Sequence, residues 1–169
     1  MSSVSVTVTE TGFKPGDERY YHIEGYNLFS ASRVRKRGGG VAIYANVLFN
    51  STRISAVQQD HSVLHIKASI ANKNYQVVNI DNPHTSVANQ MLQDFEYVLA
   101  STSGPFILTA DFNRDLLSVS TLRDYYVDLL QYYGLLLINS KVPTRGSCFL
   151  DHIWSNETNI RNFNFFPYR

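Results

Sequence analysis

The stretch Phe106-Ile107-Leu108-Thr109-Ala110-Asp111-Phe112-Asn113 is an apolar run that ends abruptly in an acid and an amide. Its first five residues have strand character and deliver Asp111 to the end of a buried element. On an extended chain, residues two apart project to the same side, about 6.6 Å from each other. Asp111 and Asn113 are therefore expected to face one pocket. A carboxylate can hold a metal or accept a proton from water, and a carboxamide can hydrogen-bond a phosphoryl oxygen.

Outward from this run, the chain alternates strands with two helical stripes. Val4, Val6 and Val8 alternate with Ser and Thr, a strand that ends at Thr9-Glu10-Thr11. Residues 12–19 read as a polar loop, followed by strands over 23–30 and 41–47. A basic, glycine-rich connection from Arg33 to Gly40 joins those two. A second hairpin, 63–70 with 75–80, turns at Asn72-Lys73-Asn74. Pro83 stops it, and Thr85 or Ser86 is placed to cap a helix carrying Met91, Leu92, Phe95, Val98 and Leu99 on one face. A second helix after Thr121 aligns Leu122, Tyr125, Tyr126, Leu129, Leu130 and Tyr133, and Gly134 is placed to end it. Strands over 135–139 and 149–154 complete an α/β or α+β pattern with helices covering sheet faces.

The bulk numbers exclude more than they select. The 169 residues, 44% of them hydrophobic and 13% aromatic, suit one domain with a substantial core rather than a disordered chain. A net charge of +1 gives no general pull toward nucleic acid, so only a local patch could supply one. Cys148 is the single cysteine, which rules out an internal disulfide and suits a reducing compartment. No secretory signal is visible at Met1 to Ser5, and no apolar run approaches the roughly 20 residues needed to span a bilayer. An intracellular domain with no membrane partner is expected, nuclear if it acts on chromosomal DNA.

Glu10 closes the first strand as Asp111 closes a later one. Two acids at strand ends, with Asn113, suit Mg²⁺ or Mn²⁺ with water completing the shell. His61 and His65 lie on or beside a strand, where four residues span about 13 Å, so they cannot share an ion and read as sheet-surface histidines. Asp151 and His152 are neighbours on a strand and point to opposite faces, and the acid is the better candidate. Cys148 has no basic activator nearby in sequence, and no nucleophile elbow is present. The run Arg33, Arg35, Lys36 and Arg37 either grips a phosphate backbone or forms a solvated hairpin tip. The three glycines after it match no phosphate loop and instead suit an unusual turn or close strand packing.

The order of these blocks is more specific than any one of them. Thr9-Glu10-Thr11, Gly25-Tyr26, the GGGVAIY block from Gly38 to Tyr44, Ala110-Asp111-Phe112-Asn113, Pro143-Thr144-Arg145 and Leu150-Asp151-His152-Ile153-Trp154 follow one another across nearly the whole chain. In this the chain resembles the endonuclease/exonuclease/phosphatase superfamily. Within it, the chain resembles most the endonuclease domain that precedes the reverse transcriptase in non-LTR, LINE-type retrotransposons. The resemblance implies a DNase I-like, two-sheet, four-layer α/β sandwich over residues 1–169, incomplete at its N- and C-terminal strands. It implies Mg²⁺-dependent phosphodiester hydrolysis that nicks DNA. By position, Glu10 matches the family's metal-binding glutamate and Asp111 the aspartate that positions or deprotonates water. Asn113 matches the amide that contacts phosphate, and Asp151 the acid that orients the catalytic histidine. Arg145, in the PTR motif, joins the basic run as an expected nucleic-acid contact.

Three departures accompany the resemblance. The chain begins after the family's Asn-bearing opening strand and stops before its closing Ser-Asp-His, and residues 160–168 resemble the approach to that motif. Asp81 and Asn82 stand where the family usually has Tyr and Arg before proline, placing a carboxylate where a phenol would hold a phosphate unless a cation compensates. The expectation is therefore a retrotransposon-type DNA-nicking domain that is weak or inactive as this chain, with a reverse transcriptase downstream in a full-length polyprotein. The alternatives are a non-catalytic nucleic-acid-binding remnant and a phosphatase of the same superfamily.

Overall fold

Period-two patterning builds two sheets that face each other in the computed structural model, which describes residues 5–33, 38–58, 61–70, 72–83, 88–139 and 142–157. In chain order the strands are β1 (Ser5–Thr9), β2 (Tyr26–Ala31), β3 (Val41–Asn46), β4 (Asn50–Gln58), β5 (Ser62–Ile70) and β6 (Lys73–Asp81). After helix α1 (Ala88–Ala100) come β7 (Phe106–Asp111), helix α2 (Thr121–Tyr132), β8 (Leu136–Leu137) and β9 (Asp151–Ser155). The small sheet runs β1-β3-β2 and the large one β4-β5-β6-β7-β9-β8. Among the described strands only β6 and β7 pair in parallel, and α1 supplies the crossover that a parallel pair requires.

Alternation along β6 divides its side chains between two cores. Val77 faces the small sheet and packs with Val41, Ile43, Leu64 and Ile66. Val78 and Ile80 face the helices and join Met91, Phe95, Phe106, Leu108, Phe112, Tyr126 and Leu130. Between them Asn79 is fully buried and works across the sheets. Its Nδ2 donates to the Val8 carbonyl on β1 (2.9 Å) and the Ala42 carbonyl on β3 (3.1 Å). Its Oδ1 accepts the Thr109 hydroxyl from β7 at 3.1 Å. One amide thus fastens the small sheet to the centre of the large one.

Local chemistry sets the remaining boundaries. Ser120 caps α2 by accepting from the Arg123 amide at 3.1 Å. Gly134, at φ 75°, ends it, with Leu135 N–H bonding the Leu130 carbonyl and Gly134 N–H that of Gln131. On the outer face of the small sheet, the turn around residues 17–21 does the covering: Ser30 donates to Glu18, and the Tyr44 hydroxyl to the Tyr21 carbonyl. Among the described residues, the helices cover one face of the large sheet, and none is long and apolar enough to cross a membrane.

Several expectations change. β4 has no counterpart in the sequence reading, because this edge strand is exposed along most of its length and shows no hydrophobic alternation. The strand expected over 135–139 shrinks to two residues. His61 and His65 are not on the sheet surface: both are buried, His61 Nε2 lying 3.0 Å from Asp94 on α1 and His65 Nε2 2.8 Å from Gln76. Burial pushes the His65 pKa down. The capping expectation at Thr85 and Ser86, the basic residues Arg35, Lys36 and Arg37, and the segment 160–168 lie outside the described residues.

The Asn79 clamp yields a stability prediction. Asn79→Leu keeps the volume but removes the donor from two carbonyls and the acceptor from Thr109. It is expected to cost about 1–3 kcal/mol, measured as a lower midpoint in urea or heat with circular dichroism.

Candidate active site

Strand register assembles the site before any side chain turns. The parallel pair sets Asp81 beside Asp111, and the antiparallel pair sets Asp111 beside Asp151. Neighbouring strands lie about 4.8 Å apart, so three carboxylates stand in a row across β6, β7 and β9. They share the face of Asn79 and Thr109, turned toward the small sheet. Asp81 is 0% exposed and Asp111 1%. Like charges placed opposite one another oppose folding, so each acid needs its own compensation.

Asp81 receives the tightest. Its Oδ2 accepts from Arg33 Nη2 and from the Gly40 amide, both at 2.6 Å. Burial still lifts its pKa, opposed by Arg33 and the Gly40 amide. The glycines make this fit. Gly39 and Gly40 have φ 74° and 96°; a Cβ on Gly39 would run into the Arg33 guanidinium, and one on Gly40 would lie 2.9 Å from Thr11 Oγ1. Their carbonyls accept the amides of Gly12 (2.8 Å) and Thr11 (3.2 Å). The loop that wraps Asp81 therefore also carries Glu10 to the row.

Asp111 is held on one oxygen only. Its Oδ1 accepts the Asn113 amide at 2.9 Å, while Oδ2 is buried with no hydrogen-bond partner and has Arg145 Nη2 3.7 Å away. Burial first, then the neighbouring Asp151, push its pKa up to about 7. The same Arg145 Nη2 lies 3.4 Å from Glu10 Oε2. Burial also raises Asp151, opposed by the Thr144 hydroxyl and Arg145. His152 turns to the opposite face, between the rings of Phe112 and Phe149, and its Nε2 donates to the Phe149 carbonyl at 2.9 Å. Burial depresses it to about 4, so it is a neutral part of the core at neutral pH.

Glu10, Asp111, Asn113, Asp151 and Arg145 thus gather at one place. Asn113 arrives by a different route from the extended geometry expected of it. The strand ends at Asp111, and Asn113, at φ 50°, folds back so that its amide meets the Asp111 carboxylate. Its Nδ2 donates to the Asn82 carbonyl at 2.8 Å. Arg33 is turned inward onto Asp81 rather than outward. Asp81 was not among the expected site residues. The signal available was that 77–81 and 107–111 are two apolar runs that both end in Asp, as two parallel neighbours would.

The donor set fits a hard cation. Asp81 Oδ1, Asp111 Oδ2 and Asn113 Oδ1 are buried oxygens without hydrogen-bond partners. Among the described residues, no three His, Cys, Asp or Glu stand ready around one point. Hard oxygens such as these could give Mg²⁺ or Mn²⁺ one or two ligands, with water completing the shell. Glu10 is left-handed at φ 53°, a conformation that costs a non-glycine residue about 1–2 kcal/mol and is concentrated at functional sites.

No family model matches the chain, and no curated protein matches it by sequence. Solved structures do match. The endonuclease domain of TRAS1, a telomere-specific non-LTR retrotransposon, superposes with TM-score 0.73 at 14% identity, over 92% of this chain and 74% of that one. D. rerio TDP2 complexed with a single-strand DNA product gives 0.59 at 12% identity, over 92% and 72%. An endonuclease/exonuclease/phosphatase family protein from Bacteroides thetaiotaomicron gives 0.58 at 14%, over 90% and 68%. The two facing sheets therefore share the fold of these solved structures, the TRAS1 endonuclease domain and the endonuclease/exonuclease/phosphatase family protein among them.

Proposed function

We propose that this chain is a metal-dependent phosphodiester hydrolase whose substrate is DNA, the nicking domain of a LINE-type element. The observation that carries the reading is Asp111: a buried carboxylate aligned on one oxygen by the Asn113 amide and left open on the other, beside Glu10. Glu10 would hold Mg²⁺ or Mn²⁺, with the open Asp111 oxygen facing the same place. Such an ion, when bound, supplies positive charge to the phosphoryl oxygens. Asp111 orients the attacking water and accepts its proton. Asp151, across the register, raises the Asp111 pKa and so strengthens it as a base. Asn113 spends one N–H on the Asn82 carbonyl and retains the other for a phosphate oxygen. The motif order supports DNA over a phosphate monoester, and a reverse transcriptase downstream and nuclear action belong to the same proposal.

Departure of the leaving oxygen benefits from a general acid, commonly histidine. Among the described residues, no histidine hydrogen-bonds or ion-pairs with Glu10, Asp111 or Asp151, and His152 is in the core. A general acid contributes roughly 10²–10⁴ in rate, and weak nicking is the proposed outcome, since none of the described histidines stands where it could supply one. The test is supercoiled plasmid incubated with the purified chain and Mg²⁺. Slow nicking that a chelator stops and Asp111→Ala abolishes would support the reading. Hydrolysis of a simple phosphate monoester without nicking would transfer the chain to the phosphatases.

The raised Asp111 pKa gives a prediction that needs no substrate. The protonated acid suits the folded state, so its contribution to stability is present below pH 4 and is lost as pH rises toward 7. In metal-free buffer at pH 8, Asp111→Asn is expected to be more stable than the parent by about 2 kcal/mol, a rise in Tm of roughly 4–8 °C. The gap should close near pH 4. Thermal unfolding across that range measures it, and an unchanged gap would contradict the assignment.

A further inference from the structure

Two arginines serve the acids, in opposite ways. Arg33 is 9% exposed and bonds Asp81 at 2.6 Å. Arg145 is 54% exposed, and one nitrogen, Nη2, is shared between Glu10 at 3.4 Å and Asp111 at 3.7 Å. Charge-assisted bonds of good geometry run about 2.7–2.9 Å, so the first contact is a lock and the second a loose hold. The Arg145 backbone is nevertheless fixed. Thr144 and Arg145 donate to the Cys148 carbonyl, Cys148 donates back to Arg145, and the Thr144 hydroxyl accepts the Leu150 and Asp151 amides. A fixed turn thus holds a side chain free to pivot.

We propose that Arg145 is the resident counter-cation of Glu10 and Asp111, that a divalent ion competes with it for those carboxylates, and that the ion's arrival displaces it. The proposal rests on the reading of Glu10 and Asp111 as the ion's holders. The oxygens involved are the same, Glu10 Oε2 and the otherwise unpartnered Asp111 Oδ2. A guanidinium and a hydrated ion cannot both sit against them. The contact with Glu10 is exposed and contributes little, and at buried Asp111 the arriving ion replaces the charge that it removes. Once displaced, the guanidinium stands at the mouth of the site, where its planar fork suits phosphate oxygens. Loading the ion and freeing a phosphate-binding group become one event.

The experiment is a calorimetric titration of the full chain with Mg²⁺ alone, for the parent, Arg145→Gln and Asp111→Asn. It is paired with an NMR titration following the Arg145 Nε–H resonance, identified by its absence in Arg145→Gln. Arg145→Gln is expected to bind Mg²⁺ about three- to tenfold more tightly, because competitor and like charge are both removed. Asp111→Asn should bind more weakly, and the Arg145 resonance should move along the parent's binding curve. Unchanged or weaker binding by Arg145→Gln, or a stationary resonance while Mg²⁺ saturates, would overturn the proposal and leave the metal site standing. No Mg²⁺ binding by the parent or by Arg145→Gln would remove the metal reading itself, and the proposal with it.

Discussion

Three carboxylates side by side on β6, β7 and β9, turned to one face, two of them buried and the third partly so, set the constraint that the other parts of the structure answer. Apolar packing cannot satisfy a buried charge. Each acid is met by a different device: a guanidinium and a loop amide for Asp81, the amide two residues on for Asp111, a hydroxyl and a shared arginine for Asp151. The first device comes from the connection between β2 and β3. The small sheet is therefore bound to the large one by charge at the strand ends as well as by the apolar layer and the Asn79 clamp. The successive glycines follow from this, since a side chain on either Gly39 or Gly40 would collide where the loop closes on Arg33 and Thr11.

Much of this was legible in the sequence, for identifiable reasons. The run ending at Asp111 reads as a core strand because its apolar residues are contiguous, and the end of α2 is marked by Gly134. The opposite facing of Asp151 and His152 follows from the strand period alone. The order of motifs led to the correct fold, two facing sheets of the endonuclease/exonuclease/phosphatase type. What escaped depended on partners far away in the chain. Asp81 looked like a repulsive intruder because its cation, Arg33, lies 48 residues earlier. The burial of His61 and His65 is decided by α1 and by the neighbouring strand. β4 escaped for the reverse reason: an exposed edge leaves no hydrophobic signature.

The site carries costs that the fold does not require. Glu10 adopts a backbone conformation it disfavours, three buried oxygens lack donors, and Asp111 is shifted far from its ordinary range. A sequence selected for stability alone would remove them. Their concentration within one cluster, while the helix-facing core is well packed and aromatic, separates the part of the molecule shaped by chemistry from the part shaped by packing.

The Asn79 clamp has a consequence for motion. The layer it spans is built from alanine, valine, isoleucine and leucine, whereas the layer beneath the helices is rich in phenylalanine. Fewer and smaller apolar side chains hold the small sheet, so its amides are expected to exchange first when part of the molecule opens. Glu10 and Arg33 leave with it; Asp81, Asp111, Asp151 and Arg145 stay behind. The lifetime of the assembled site is then the lifetime of one docked sheet, shorter than that of the folded chain.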